Sequence, residues 1–185
     1  MNSSHPFINR RVLVIDDNPS IHEDFRKILS KAFAADDRLD DLESTILETQ
    51  FQTATQNGFE IDSAFQGEEG LAKVRVAVGS SSPYAVVFVD MRMPPGWDGV
   101  ETIAQLRQVD PRLQIVICTA YSDYSWEEIL HQLGTRCNLM VLKKPFDNIE
   151  VIQICETLTE KWSLTQQLQA ADPASANAEK WGARA

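Results

Sequence analysis

The sequence predicts an α/β fold: a doubly wound, five-stranded parallel sheet with helices on both faces. Three observations carry that reading. Short apolar runs alternate with segments whose apolar residues recur at helical spacing. Most of the runs are apolar at consecutive positions, so both faces of those strands are covered, as parallel sheets require, while "FEIDSAF" alternates. Capping signatures mark where several of the helices start.

The elements follow in order. "RVLVI" (Arg11 to Ile15) reads as a buried strand, after which Asn18 and Pro19 serve as N-cap and first-turn proline. Ile21, Phe25, Ile28 and Leu29 share one face of the helix that follows. From about 35 to 58 the chain holds six acids (Asp36, Asp37, Asp40, Asp41, Glu43, Glu48) against one base, Arg38. Leu39, Leu42, Ile46 and Leu47 fit one helical face there, so an inserted acidic helical segment is expected. "FEIDSAF" (Phe59 to Phe65) is the second strand, and Leu71, Val74 and Val78 give its helix. "AVVFV" (Ala85 to Val89) is the third, followed by Asp98 and Glu101 in capping-box spacing. "LQIVICT" (Leu113 to Thr119) is the fourth. Ser125 and Glu128 then open a helix with Ile129, Leu130 and Leu133, which Gly134 stops. "LMVL" (Leu139 to Leu142) is the fifth strand, and Asp147 with Glu150 opens the last helix.

That last helix keeps apolar spacing through Val151, Cys155, Leu158 and Trp162 and runs on to Leu168. Its length exceeds what one face of the sheet needs. The four- and three-residue steps resemble a short coiled-coil seam, which suggests a homodimer or continuation into an output domain. The tail "AADPASANAEKWGARA" is small, polar and aperiodic. The expected organisation is an N-terminal tail over 1–10, a domain over 11–159 with the insertion at about 35–58, and a helical extension and tail over 160–185. Five strand–helix units of this kind make a flavodoxin-like sheet, in which ligands bind outside the carboxyl ends of the strands.

Composition narrows the function. A net charge of −10 argues against a nucleic-acid surface, which needs clustered Lys and Arg, and suits a protein that handles a cation. Cys118, Cys137 and Cys155 show no metal spacing and read as reduced thiols of a cytoplasmic protein. "MNSSHPFINRR" holds no signal-peptide core, and no later run could span a bilayer. The four tryptophans (Trp97, Trp126, Trp162, Trp181) are too scattered for a stacking platform.

Chemistry gathers at the carboxyl ends of the strands. The first gives Asp16 and Asp17, the third Asp90, the fourth Thr119 and the fifth Lys144 before Pro145. Singly, each has a bland reading as a turn or cap residue. Together, parallel strands bring them to one edge. Three carboxylates about 4–5 Å apart repel by several kcal/mol at an effective dielectric near 20. A divalent cation relieves this, and hard oxygen donors suit Mg²⁺. A carboxylate nucleophile beside a metal, faced by an ammonium and a hydroxyl, is an arrangement for phosphoryl transfer.

"VLVIDDNPSIHEDFRKIL", "VVFVDMRMPPGWDG", "IVICTAY" and "LKKPF" resemble the signature segments of response-regulator receiver domains of two-component signalling, over roughly Arg11 to Thr159. The resemblance implies that Asp90 is the phosphoacceptor, served by a sensor histidine kinase or phosphotransfer protein. It also implies that Asp17, Asp90 and the backbone carbonyl of Arg92 bind Mg²⁺, with Asp16 helping through water. Thr119 and Lys144 would hold the phosphoryl group, with Ala120 as the small residue beside its entry. Such a domain is a phosphoacceptor that slowly hydrolyses its own acyl phosphate, not a turnover enzyme.

Some features depart from the family pattern. The loop "MRMPPGWDG" is one residue longer before its Asp-Gly, and an acidic insertion follows the first helix. The aromatic switch position, three residues before the lysine, is Val141, which leaves Tyr121 as a substitute. His22 in "IHEDF" lacks a kinase-type neighbourhood and reads as a surface or packing histidine. Two other functions remain open. A haloacid-dehalogenase-type phosphatase uses similar parts, but in another order: its nucleophile comes first with an Asp two residues on, where this chain has Arg92. A silent receiver-like interaction module would keep the fold without the phosphorylation.

Overall fold

Four apolar runs and the mixed segment Glu60–Ala64 become five strands of one parallel sheet in the computed structural model, which describes residues 8–30, 58–120, 131–134 and 138–171. The strands are β1 (Arg11–Ile15), β2 (Glu60–Ala64), β3 (Val86–Asp90), β4 (Gln114–Thr119) and β5 (Leu139–Lys143). Their order is β2-β1-β3-β4-β5, every pair parallel. This is the flavodoxin-like order, with its reversal between β1 and β3. Ile15 lies opposite both Ala64 and Val89, Asp90 opposite Cys118, and Thr119 opposite Lys143. The register therefore brings all the carboxyl ends to one edge.

Consecutive apolar residues split between two cores because side chains alternate across a strand. Leu13, Ile15, Val87, Val89, Ile115 and Ile117 face helices α2 (Gly67–Gly79) and α3 (Gly99–Val109), where Leu71, Val74, Ile103 and Leu106 meet them. Val12, Val14, Val86, Phe88 and Val116 face the other way, towards α1 (residues 19–30) and α4 (Asn148–Ala171). Phe25 is fully buried there, its ring 4.6 Å from Phe88 and 5.5 Å from Phe146. Burying one such ring stabilises the fold by about 1.5–3 kcal/mol.

Three of the four expected helix starts are observed with their bonds. Asn18 Oδ1 accepts from the Ser20 amide at 3.0 Å, and Asp98 Oδ1 from the Glu101 amide at 2.8 Å. Glu150 reaches back to the Asp147 amide at 2.9 Å, the reciprocal half of a capping box. Residues 131–133 are helical, and Gly134 follows at φ +70°, a conformation glycine takes without steric cost. Ser125 and Glu128, Tyr121, the acidic insertion, Cys137 and the C-terminal tail lie outside the described residues.

One expectation changes. Val151, Cys155, Leu158 and Trp162 are buried against the sheet, so the spacing read as a coiled-coil seam belongs to the core. A stripe facing a sheet needs the same steps as a stripe facing a helix. Beyond the core, α4 is tied back: Ser163 Oγ accepts from the Asn9 amide at 2.9 Å, and Gln166 Oε1 from Arg112 at 3.1 Å. At the amino ends of the strands, Ser30 and Gly58 line one shallow cleft with Arg26, Leu29, Phe59 and Ile61. No described helix is long and apolar enough to cross a membrane.

Candidate functional site

The switch point between β1 and β3 sets Asp16 and Asp90 side by side at the carboxyl edge. Asp16 is 2% exposed and held from several directions. Its amide donates to the Ala64 carbonyl at 3.1 Å, and its Oδ1 accepts from the Asn18 amide at 2.9 Å. Asp90 is the last residue of β3, and its Oδ2 accepts from the Arg92 amide at 2.8 Å. Lys144 follows β5, its amide bonded to the Thr119 carbonyl at 2.8 Å. From there its ammonium donates to Asp16 Oδ2 at 2.7 Å and to Asp90 Oδ1 at 2.6 Å.

The charges oppose one another. Burial pushes the Asp90 carboxyl above its ordinary value, and the Lys144 and Arg92 bonds pull it back only in part, while Asp16 adds to the upward push. Burial alone would lower Lys144. Its bonds to Asp16 and Asp90, and their negative charge, outweigh that and hold the ammonium above its ordinary value. A charge-assisted, two-pronged pair of this kind is short and directional. Beneath it, Cys118 is 2% exposed, and desolvation pushes its thiol far up, so it is inert filling here. Cys155 is buried and pushed the same way.

The predicted set is thus brought together in part. Asp16, Asp90 and Lys144 are in direct contact. Thr119 ends β4 at the same edge, 7% exposed, with its hydroxyl donating to the Ala120 carbonyl at 3.0 Å. Asp17 follows Asp16 but is exposed. The close trio of carboxylates is not assembled: among the described residues, no group of three or more His, Cys, Asp or Glu side chains is placed to hold a metal ion. Here the repulsion between Asp16 and Asp90 is relieved by the Lys144 ammonium. The donor chemistry still fits Mg²⁺, since Asp16, Asp17, Asp90 and the Arg92 carbonyl offer only hard oxygens.

His22 is a packing histidine, 1% exposed, with its ring 4.6 Å from that of Phe65. It also does something the sequence did not suggest: its Nε2 lies 2.8 Å from the Asp16 carbonyl oxygen, in hydrogen-bond contact. Its place one helical turn beyond the Asn18 cap, on the face turned back towards Asp16, was the available signal.

Comparison with known proteins follows the same lines. The family model described as the response regulator receiver domain matches residues 39–156, more than half of the chain. The match starts after β1, although β1 lies between β2 and β3; the segment between 31 and 57 separates that strand from the rest in sequence. The DNA-binding transcriptional regulator NtrC of Escherichia coli (strain K12) is 34% identical over 99 residues, 54% of this chain and 20% of NtrC. Sporulation initiation phosphotransferase F of Bacillus subtilis (strain 168) is 29% identical over 87 residues, 47% of this chain and 65% of that protein. The chain thus spans about a fifth of the first of these relatives. A solved CheY-like response regulator receiver domain protein from Methanospirillum hungatei JF-1 superposes with a TM-score of 0.59 at 17% identity, covering 84% of this chain and 98% of that one. A structure described as adenylate cyclase from Rhodopirellula baltica gives 0.64 at 22% identity, covering 89% and 97%. At such identities the likeness is one of fold. With sheet order and family model in agreement, the chain belongs to the response regulator receiver domains of two-component signal transduction.

Proposed function

We propose that Asp90 accepts a phosphoryl group from a histidine kinase or phosphotransfer protein, and that the acyl phosphate shifts the domain's conformation to relay a signal. The observation that carries this reading is the Lys144 ammonium bridging Asp16 and Asp90 at the carboxyl edge of the sheet. In the transfer, an Asp90 carboxylate oxygen attacks phosphorus, and the bond from phosphorus to the donor's imidazole nitrogen breaks. Lys144 then has new anionic oxygens within reach of a carboxylate it already holds. Thr119 reaches the group once its hydroxyl leaves Ala120. Asp16, Asp17, Asp90 and the Arg92 carbonyl would hold Mg²⁺, which supplies positive charge against the phosphoryl oxygens.

The bound phosphoryl group adds charge and acceptor oxygens, and whichever arrangement of Thr119 and Lys144 satisfies them gains population. Water slowly returns Asp90 to the carboxylate, so the chain acts as a timed acceptor in the cytoplasm and not as a turnover phosphatase. Its output passes to a partner or to a further domain, as the greater length of NtrC suggests. With acetyl phosphate and Mg²⁺ the wild type is expected to gain one phosphate by mass, and Asp90→Asn to lose most of it. Equal labelling of that variant would remove Asp90 as acceptor, and an unlabelled wild type would leave the silent module standing.

A further inference from the structure

Gln66 stands at the N-cap of α2, yet its side chain makes no capping bond. Residues that cap well are short, so that their oxygen can fold back to the helix amides. Gln66 is too long for this and spends its amide elsewhere. Its Nε2 donates to the Pro94 carbonyl at 3.4 Å, and its Oε1 accepts from the Gly96 amide at 3.2 Å. Both partners lie in the loop between β3 and α3, which also carries the Arg92 amide bonded to Asp90. Gly96 is matched to this contact: a Cβ there would stand 2.4 Å from Gln66 Oε1 and 3.0 Å from Glu68 Oε2. The two contacts also orient the amide, since its donor end meets a carbonyl and its acceptor end an N–H.

We infer that Gln66 is a positioning residue for phosphorylation: its side-chain amide clamps the backbone of the 91–98 loop at Pro94 and Gly96, and so sets the Arg92 peptide against Asp90. The inference rests on Asp90 being the acceptor and deepens that reading. Glu68 and Glu69 stand in the first turn of α2, and beside them a side-chain amide gives the Gly96 N–H an acceptor without adding a further negative charge.

The test uses the full chain with Gln66→Met, which keeps the length and removes both bonds, with Gly96→Ala, which pushes the amide away from the other side, and with the pair combined. The first readout needs no phosphorylation: hydrogen exchange of the Gly96 amide, followed by NMR, is expected to speed up in Gln66→Met. The second is Asp90 labelling by acetyl phosphate as Mg²⁺ is varied. Loss of the two bonds is expected to raise the half-saturating Mg²⁺ about fivefold, with the thermal midpoint little changed. The double variant should be no worse than either single one, because both break the same contact. Unchanged Gly96 exchange, additive effects, or a lowered midpoint with unchanged Mg²⁺ dependence would each overturn the clamp. Failure of the wild type to label at all would instead strike at the acceptor assignment, with the exchange readout still reporting on Gln66.

Discussion

At Asp90 two opposing effects meet, and their balance gives a pH dependence with a definite sign. The folded carboxyl holds its proton more tightly than the ordinary value of 3.8, and that balance already includes the attraction to Lys144. Its contribution to stability is therefore fully present below 3.8 and is lost as pH rises through the raised folded value. At neutral pH the ionised group is a net cost. Asp90→Asn is expected to unfold at higher urea concentration than the wild type near neutrality, with the gain shrinking towards about pH 4. Paired urea midpoints across that range check it; a constant gap would point to packing instead of charge. The residues responsible were legible in the sequence because each ends an apolar run, and a parallel sheet gathers run ends. The pairing of Lys144 with Asp16 was not legible, and the carbonyl contact of His22 was signalled only by its place one turn beyond the Asn18 cap. They depend on which way side chains turn after the strand stops, and no periodicity records that.

Helices meet the sheet at glycines whose neighbours differ in how far they can yield. A Cβ on Gly70 of α2 would stand 2.3 Å from Ile15 Cδ1, the far end of a flexible side chain. One on Gly99 of α3 would stand 2.6 Å from the Asp90 carbonyl oxygen and 2.8 Å from Met91 Cα, which are backbone atoms. Gly99→Ala is thus expected to cost about 2–3 kcal/mol and to slow Asp90 labelling. Gly70→Ala should cost about 1 kcal/mol or less, since alanine's better helix propensity offsets part of the overlap. Chemical denaturation of both variants, with labelling alongside, separates them; equal costs would mean that the β3–α3 backbone gives as readily as a side chain. Helix starts were readable because a cap and its amide lie within one turn. These close approaches were not, because they arise between elements far apart in sequence. The face of α4 was misassigned for a related reason: period identifies a stripe but not what covers it.

The whole domain draws on α4 further along the chain than its apolar spacing alone implied. Trp162 is 8% exposed and Ser163 4%, and Gln166 meets Arg112, whose guanidinium is fastened to the buried Asp110 at 2.8 Å. Ending the chain after Gln167 is expected to leave stability within about 0.5 kcal/mol of the full chain. Ending it after Lys161 removes the buried indole and should cost about 3 kcal/mol or more. Thermal and urea unfolding of the two truncations would decide it, and equal loss from both would place the anchoring beyond Gln167. A second copy docking on α4 would find Ile149, Leu164 and Leu168 as its large exposed apolar side chains.

The shared cleft of Ser30 and Gly58 has a consequence in polymer terms. The chain between them departs and returns at one place, at the opposite edge of the sheet from Asp90. The fold therefore holds Ser30 and Gly58 at one place, whatever joins them. For a flexible connection between two fixed ends, closure entropy grows only with the logarithm of length, so each doubling costs about 0.6 kcal/mol. A corner held in this way can accept flexible chain between its two ends at small entropic cost, at the far edge of the sheet from Asp90. A lineage could vary the segment in length and charge, and so change what the domain meets, without renegotiating how the domain folds.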